Sequence, residues 1–366
     1  MKENRYHEQL NIDNNTRLRE IISSLPRFCS TFFRGIEATT SSRTRIAYAY
    51  DLKVFFTFLC ERHKSFQNMD MRDITVDMLD SIKALDIEEY LEYLNYYTVG
   101  DKDHINEENG KKRKLISLRS FYNFYYKREL IQYNPAVLVD IPKLHEKEIV
   151  RLDVDEVAKL LDEVETGENL TDKQKAYHEK TKIRDLAMLT LLLGTGIRVS
   201  ECVGLDINDV DFENNGIRIH RKGGSEVIIY FSDEVQEALE AYLAERKRIV
   251  AAEGSTNALF LSMQRKRINV KSVENLVKKY SSLVTRLKKI TPHKLRSTYG
   301  TSLYRETGDI YLVADVLGHK DVNTTRKHYA AIEDARRRSA ASAVRLREEY
   351  STTIIQPSPN TQDQNS

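Results

Sequence analysis

The sequence predicts a mainly helical chain with one small β-hairpin, an α+β protein built in two parts. Three observations carry that expectation. Apolar residues recur at three- and four-residue steps along most of the first 140 positions. The pattern then breaks at Asn134-Pro135 and Pro142. The one strong strand signal comes later, where Ile217–His220 and Val227–Phe231 flank Lys222-Gly223-Gly224-Ser225. At 366 residues the chain is also too long for one ordinary domain.

Residues 1–15 are polar and expected to be flexible. From Arg17 to Arg34, Ile21, Ile22, Leu25 and Phe28 mark one or two short helices. Thr39 to Ser42 supply capping hydroxyls for a helix over 43–63, with Ile46, Tyr50, Val54, Phe55 and Phe58 as its apolar face. Further helices are expected over 79–94 and 111–127, the latter basic and aromatic. Residues 16–142 thus form an all-helical bundle, and the charged, apolar-poor 143–150 is the linker. A helix restarts at Leu152 with Asp153 or Asp155 as cap, and the polar 165–182 looks like a surface insertion. Lys182 to Leu193 is strongly apolar and closed by Gly194-Thr195-Gly196. After the hairpin, helices run from Asp233 to about Glu349, which bounds a second domain at 151–349. Residues 350–366, rich in Pro, Gln, Asn and Ser, are expected to be a disordered tail.

Composition excludes several classes. No apolar run approaches the roughly 20 residues that span a bilayer, and Met1-Lys2-Glu3-Asn4 opens no secretory signal. A cytoplasmic protein is expected. Cys29, Cys60 and Cys202 are far apart, suit a reducing compartment and show no metal-ligand spacing. Net charge is only +2, but positive charge clusters at 111–114, 265–267, 288–289 and 336–338. Each cluster alone could be a solvated helix face or loop.

The polar residues have bland readings when taken singly. Arg198 could cap the preceding helix, and Glu201 could be its partner. Lys222 could be a solvated turn lysine. His293 and Arg296 follow Thr291-Pro292, a good helix start, and their spacing places both on one face, as an anion clamp or a surface pair. Tyr329 is one tyrosine among 20.

The ordered set is different. Gly-Ile-Arg-Val-Ser-Glu at 196–201, Lys222 on the hairpin, His-Lys-Leu-Arg at 293–296, Leu-Gly-His-Lys at 317–320 and Tyr329 together strongly resemble the tyrosine recombinase family, in its Xer and integrase branch. The N-terminal half agrees. Thr44 to Leu52 resembles the first DNA-clamping helix of that family's core-binding domain, and Ser117 to Tyr122 with Asn134-Pro135-Ala136 resembles the domain's end. The resemblance implies a helical (SAM-like) core-binding domain and a catalytic domain that close as a C-shaped clamp on duplex DNA. It implies that Arg198, Lys222, His293, Arg296 and His319 are catalytic, with Glu201 in support and Tyr329 the nucleophile. It implies a 3′-phosphotyrosyl intermediate, double-stranded DNA with inverted-repeat half-sites, and a homotetramer on two sites. In that family the helix after the tyrosine, here 330–349, docks into a neighbouring protomer, and an accessory protein can take part.

The residue types suit that chemistry. Phosphoryl transfer places negative charge on non-bridging oxygens, which guanidinium forks match. A tyrosine hydroxyl must lose its proton on attack, and a lysine on a flexible stem can protonate a departing oxygen. No phosphate-cradling glycine loop and no clustered carboxylates occur, so neither a cofactor nor a metal is expected. With duplex DNA as partner, Arg43, Arg45, Lys111, Lys112, Arg113, Lys114, Arg119, Arg265, Lys266, Arg267 and Lys294 are candidate contacts. Two departures from the family pattern are Ser297, where many relatives carry histidine, and the length of 165–182. The short lead before the first core-binding helix tilts the expected role toward Xer-type chromosome dimer resolution. A mobile-element recombinase is the alternative, then a type IB topoisomerase or a catalytically silent DNA-binding protein.

Overall fold

A computed structural model describes residues 6–143, 150–221, 225–319 and 321–322. The chain divides into two compact units, Met1–Glu148 and Ile149–Ser366.

In the first unit, α1 (Tyr6–Ser23), α2 (Cys29–Gly35), α3 (Ser42–Arg62), α4 (Ala84–Tyr93) and α5 (Glu108–Tyr126) enclose an aromatic core. Phe32, Phe55, Phe56, Phe121 and Tyr125 are buried there, and their rings meet edge-on with centroids 5–6 Å apart. Ser41 caps α3, its Oγ accepting from Thr44 N. The inward face of α3 is Ala49, Leu52, Phe55, Phe56 and Leu59, whereas the expected core residue Tyr50 is exposed and its hydroxyl accepts from Arg17.

Two sequence expectations need correcting. Residues 6–15, expected to be flexible, are helical within α1. Polar contacts hold them, which an apolar pattern cannot reveal: Asn14 Nδ2 donates to Ser42 Oγ, that hydroxyl donates to Asn11 Oδ1, and Arg45 donates to Asn15. The first unit is also not all-helical. Strands β1 (Tyr97–Val99) and β2 (Lys102–His104) form an antiparallel hairpin closed by the two-residue turn Gly100-Asp101, with Gly100 at φ +60°.

The second unit is built on α8 (Lys182–Thr195), which buries Ala187, Met188, Leu189, Leu191 and Leu192. Around it pack α6 (Val154–Thr166), α10 (Asp233–Arg246) and α12 (Pro292–Thr307), and α11 (Val270–Val284) lies against α6. The short α9 (Val199–Gly204) follows α8, and α13 (Ile310–Leu317) follows α12. Strands β3 (Val210–Asp211), β4 (Gly216–His220) and β5 (Glu226–Tyr230) make one antiparallel sheet, with Arg218 opposite Ile228 and His220 opposite Glu226. The hairpin therefore stands where the alternation placed it.

The stretch 165–182 is more than a surface insertion. It contains α7 (Asp172–His178), capped by Thr171, and its end is tied into the unit's core. His178 is 1% exposed, and its Nδ1 lies 3.0 Å from Tyr280 Oη. Tyr280 in turn donates to Asp185 Oδ2, which also accepts from Thr181 Oγ1. No helix among the described residues is long and apolar enough to cross a membrane.

Candidate active site

The site grows from the end of α8. Gly196 sits there in the left-handed region (φ +62°), and a Cβ at this position would lie 2.3 Å from Tyr299 Cδ1. Conformation and space thus both require glycine. The turn sets Arg198 as the N-cap of α9, where Glu201 accepts from Arg198 N at 2.7 Å through Oε2 and from Arg198 Nη1 at 2.7 Å through Oε1. Glu201 is buried, while the Arg198 side chain is 39% exposed.

The far end of the site is the C-terminus of α13. Gly318 adopts φ +62°, Gly318 N donates to Asp315 O, and His319 N donates to Ala314 O. This is a Schellman closure, and it fixes the backbone from which His319 projects, half-buried. Three guanidinium groups converge on this helix end. Arg198 Nη2 donates to Gly318 O at 3.1 Å and to Leu317 O at 3.5 Å. Arg296 donates through Nη1 to Gly196 O at 2.6 Å and through Nη2 to Leu317 O. Arg221, one residue past β4, donates to Val316 O at 2.7 Å and Asp315 O at 3.3 Å. Helix C-terminal carbonyls carry about half a negative charge. Three guanidinium groups, one of them paired to the Glu201 carboxylate, therefore meet at the turn that carries His319.

α12 begins at Thr291 with Pro292 in its first turn, as its sequence predicts. Its two candidate residues do not share one environment. His293 is exposed, whereas Arg296 is 5% exposed and turned into the carbonyls of Gly196 and Leu317. Nearby, the Tyr299 ring packs against Gly196, and burial pushes its phenol above the ordinary range. Of the expected catalytic set, Arg198, Glu201, Arg296 and the His319 backbone are brought together here, with His293 on the same helix as Arg296. Lys222 and Tyr329 lie outside the described residues, as do 330–349 and the basic cluster 336–338. Arg221 was not anticipated. Its partners lie 94 and 95 positions away, and the adjacent Lys-Gly-Gly drew attention to the lysine.

Several of the expected DNA-contact residues have partners within their own unit. Lys114 is 5% exposed, donates to Asn106 Oδ1 at 3.0 Å and lies 3.7 Å from buried Asp51. Arg45 is buried and pairs with Glu37. Arg119 donates to Ala136 O and Val139 O, closing the end of the first unit. Arg267 donates to Val203 O, Leu205 O and Asp206. Arg113 is exposed although it also reaches Asp51. Arg43, Arg265 and Lys266 are exposed, and Lys111, Lys112 and Lys294 are half-exposed.

Residues 150–336 match the phage integrase family. The tyrosine recombinase XerC of Caldanaerobacter subterraneus subsp. tengcongensis is 33% identical over 329 residues, covering 87% of this chain and 86% of that one. Among solved structures, XerH site-specific recombinase bound to palindromic difH substrate superposes with a TM-score of 0.61 at 20% identity, covering 82% of this chain and 80% of that one. The Tn1549 transposon integrase (aa 82-397) in complex with circular intermediate DNA gives a TM-score of 0.61 at 21% identity, covering 88% and 100%. The fold is that of these recombinases. The chain belongs to the phage integrase family and is an Xer-like site-specific tyrosine recombinase.

Proposed function

We propose that this enzyme cleaves duplex DNA at a phosphodiester between two inverted half-sites, with Tyr329 as nucleophile. The phenolic oxygen bonds to phosphorus, His293 takes the phenolic proton, and the bond to the 5′-oxygen breaks as Lys222 protonates that oxygen. The products are a 3′-phosphotyrosyl link and a free 5′-hydroxyl. The phosphoester bond is conserved, so attack by another 5′-hydroxyl reverses the step. Arg198 and Arg296 neutralise the non-bridging oxygens, His319 donates to one of them, and Glu201 orients Arg198.

The observation supporting this reading is the convergence of Arg198 and Arg296 on the helix end that carries His319. The Arg198 side chain stays 39% exposed there, while Glu201 fixes its direction. Arg43, Lys111, Lys112, Arg113, Arg265, Lys266 and Lys294 are the backbone-contact residues in this account. In this account residues 16–142, extended by the start of α1, are the core-binding domain and 151–349 the catalytic domain, joined through 143–150.

Four protomers on two sites, exchanging segment 330–349, complete strand exchange in the cytoplasm, with an accessory protein where the site requires one. Resolution of chromosome dimers is the cellular role favoured by the 33% identity to a XerC. A mobile-element role is the second reading, favoured by the full-length coverage of the Tn1549 integrase fragment. A chromosomal deletion separates them. Filamentous, dimer-laden cells support the first, and normal segregation with loss of element circles supports the second. A suicide duplex nicked near the crossover tests the chemistry. Wild-type protein should form a covalent adduct in EDTA and Tyr329→Phe should not. Binding without any adduct would overturn it.

A further inference from the structure

We propose that Arg221 is a positioning residue that ties the β4–β5 hairpin to the C-terminal turn of α13 and thereby holds His319 in its working place. The inference rests on the assignment of His319 to the scissile phosphate.

The geometry is specific. Arg221 N donates to Ser225 O at 2.8 Å, so its backbone continues the hairpin ladder past His220 and Glu226. Its guanidinium reaches a different element altogether, donating to Val316 O and Asp315 O. Those carbonyls belong to the last turn of α13, where intrahelical donors run out and a cation is favoured. The guanidinium lies flat against Gly318, where a Cβ would fall 2.5 Å from Arg221 Cζ. Gly318 is required for its positive φ, and a side chain there would also displace the Arg221 guanidinium. The next residue is His319, whose backbone N–H is already committed to Ala314 O. A bidentate grip three and four residues upstream leaves that turn little freedom to shift.

Arg198 and Arg296 hold the same turn from the α8 and α12 sides. Arg221 supplies the third side and is the one supplied by the hairpin. A hairpin drawn toward DNA would thus carry its movement to the His319 turn.

The test is a mutant cycle on suicide-substrate cleavage under single-turnover conditions. Arg221→Ala is expected to lower the cleavage rate about 10–100-fold, with half-saturating DNA concentration and its salt dependence unchanged. Arg221→Lys should recover part of that loss, since an ammonium reaches one carbonyl. In a His319→Ala background, adding Arg221→Ala should cost less than threefold. Likewise the part of the Gly318→Ala loss that comes from the clash with Arg221 should vanish once Arg221 is alanine, leaving the cost of the positive φ. Additive effects in both cycles would overturn the inference, as would a loss of DNA affinity and salt dependence that marks Arg221 as a direct phosphate contact. Full cleavage by His319→Ala would instead sink the assignment of His319 itself, separately from Arg221. Circular dichroism on each variant guards against misfolding. Arg221→Gln, which keeps one donor, replaces alanine in both cycles if the alanine variant does not fold.

Discussion

Glu201 holds Arg198 at two points, accepting from its backbone N–H and from Nη1, both at 2.7 Å. One buried carboxylate therefore caps α9 and aims the guanidinium that emerges beside it. Glu201→Gln can still accept from the backbone but loses the charge that fixes the fork. Charge-assisted hydrogen bonds contribute about 1.5–3 kcal/mol, so cleavage should slow about 10–100-fold with little loss of DNA affinity. Single-turnover cleavage with a parallel binding titration checks this. A selective loss of affinity would contradict it.

Asp51 and Lys114 are buried between α3 and α5, and Arg113 reaches Asp51 from the surface. Burial pushes the Asp51 carboxyl up, against the pull of Arg113 and Lys114, and burial likewise lowers Lys114. Asp51→Ala leaves Lys114 buried without its carboxylate and should cost about 3 kcal/mol. Lys114→Ala should cost about 2 kcal/mol, because Arg113 still reaches Asp51. Urea unfolding measures both. Lys111→Ala and Lys112→Ala should leave stability unchanged and reduce the salt dependence of DNA binding.

His178 gives the second unit a pH dependence. Burial, reinforced by Lys279, holds its pKa below the ordinary 6.5. The unfolded chain then takes up a proton at a higher pH than the folded one, so stability is fully present above about pH 6.5 and declines as pH falls below it. His178→Gln should flatten that decline. The comparison is urea midpoints between pH 5 and 8, and an unchanged slope in the variant would refute the assignment.

The cysteines should separate by reactivity. Burial pushes the thiols of Cys29 and Cys202 far up, and Cys60 is half-buried with a smaller rise caused by burial, then Asp70 and Glu61. An aromatic disulfide reagent should modify Cys60 in the folded protein, and the other two only on unfolding.

Much of this was legible in the sequence where the information is local. The hairpin at 216–230 followed from alternation around Gly-Gly, and the starts of α3, α6 and α12 followed from Ser41, Asp153 and Thr291-Pro292. Contacts that depend on distant polar partners were not legible. Residues 6–15 of α1 are held by Ser42 and Arg45, and the β1–β2 hairpin is too short to build a periodic signal. The basic runs gave no sign that Lys114, Arg119 and Arg267 have partners within their own unit. Within the site, the motifs pointed to Arg198, Glu201, Arg296 and His319, which the fold brings together. Arg221 emerged only when the fold brought the hairpin to the end of α13.

The most direct test of the account is the site and polarity of the covalent link. Wild-type protein trapped on a nicked suicide duplex in EDTA would be digested with trypsin and nuclease and its peptides weighed. The account predicts a nucleotide remnant on the peptide 328–336, attached through Tyr329, with a 5′-hydroxyl on the released strand that accepts label from polynucleotide kinase without phosphatase. A remnant on any other residue, or a 5′-linked adduct, would contradict it.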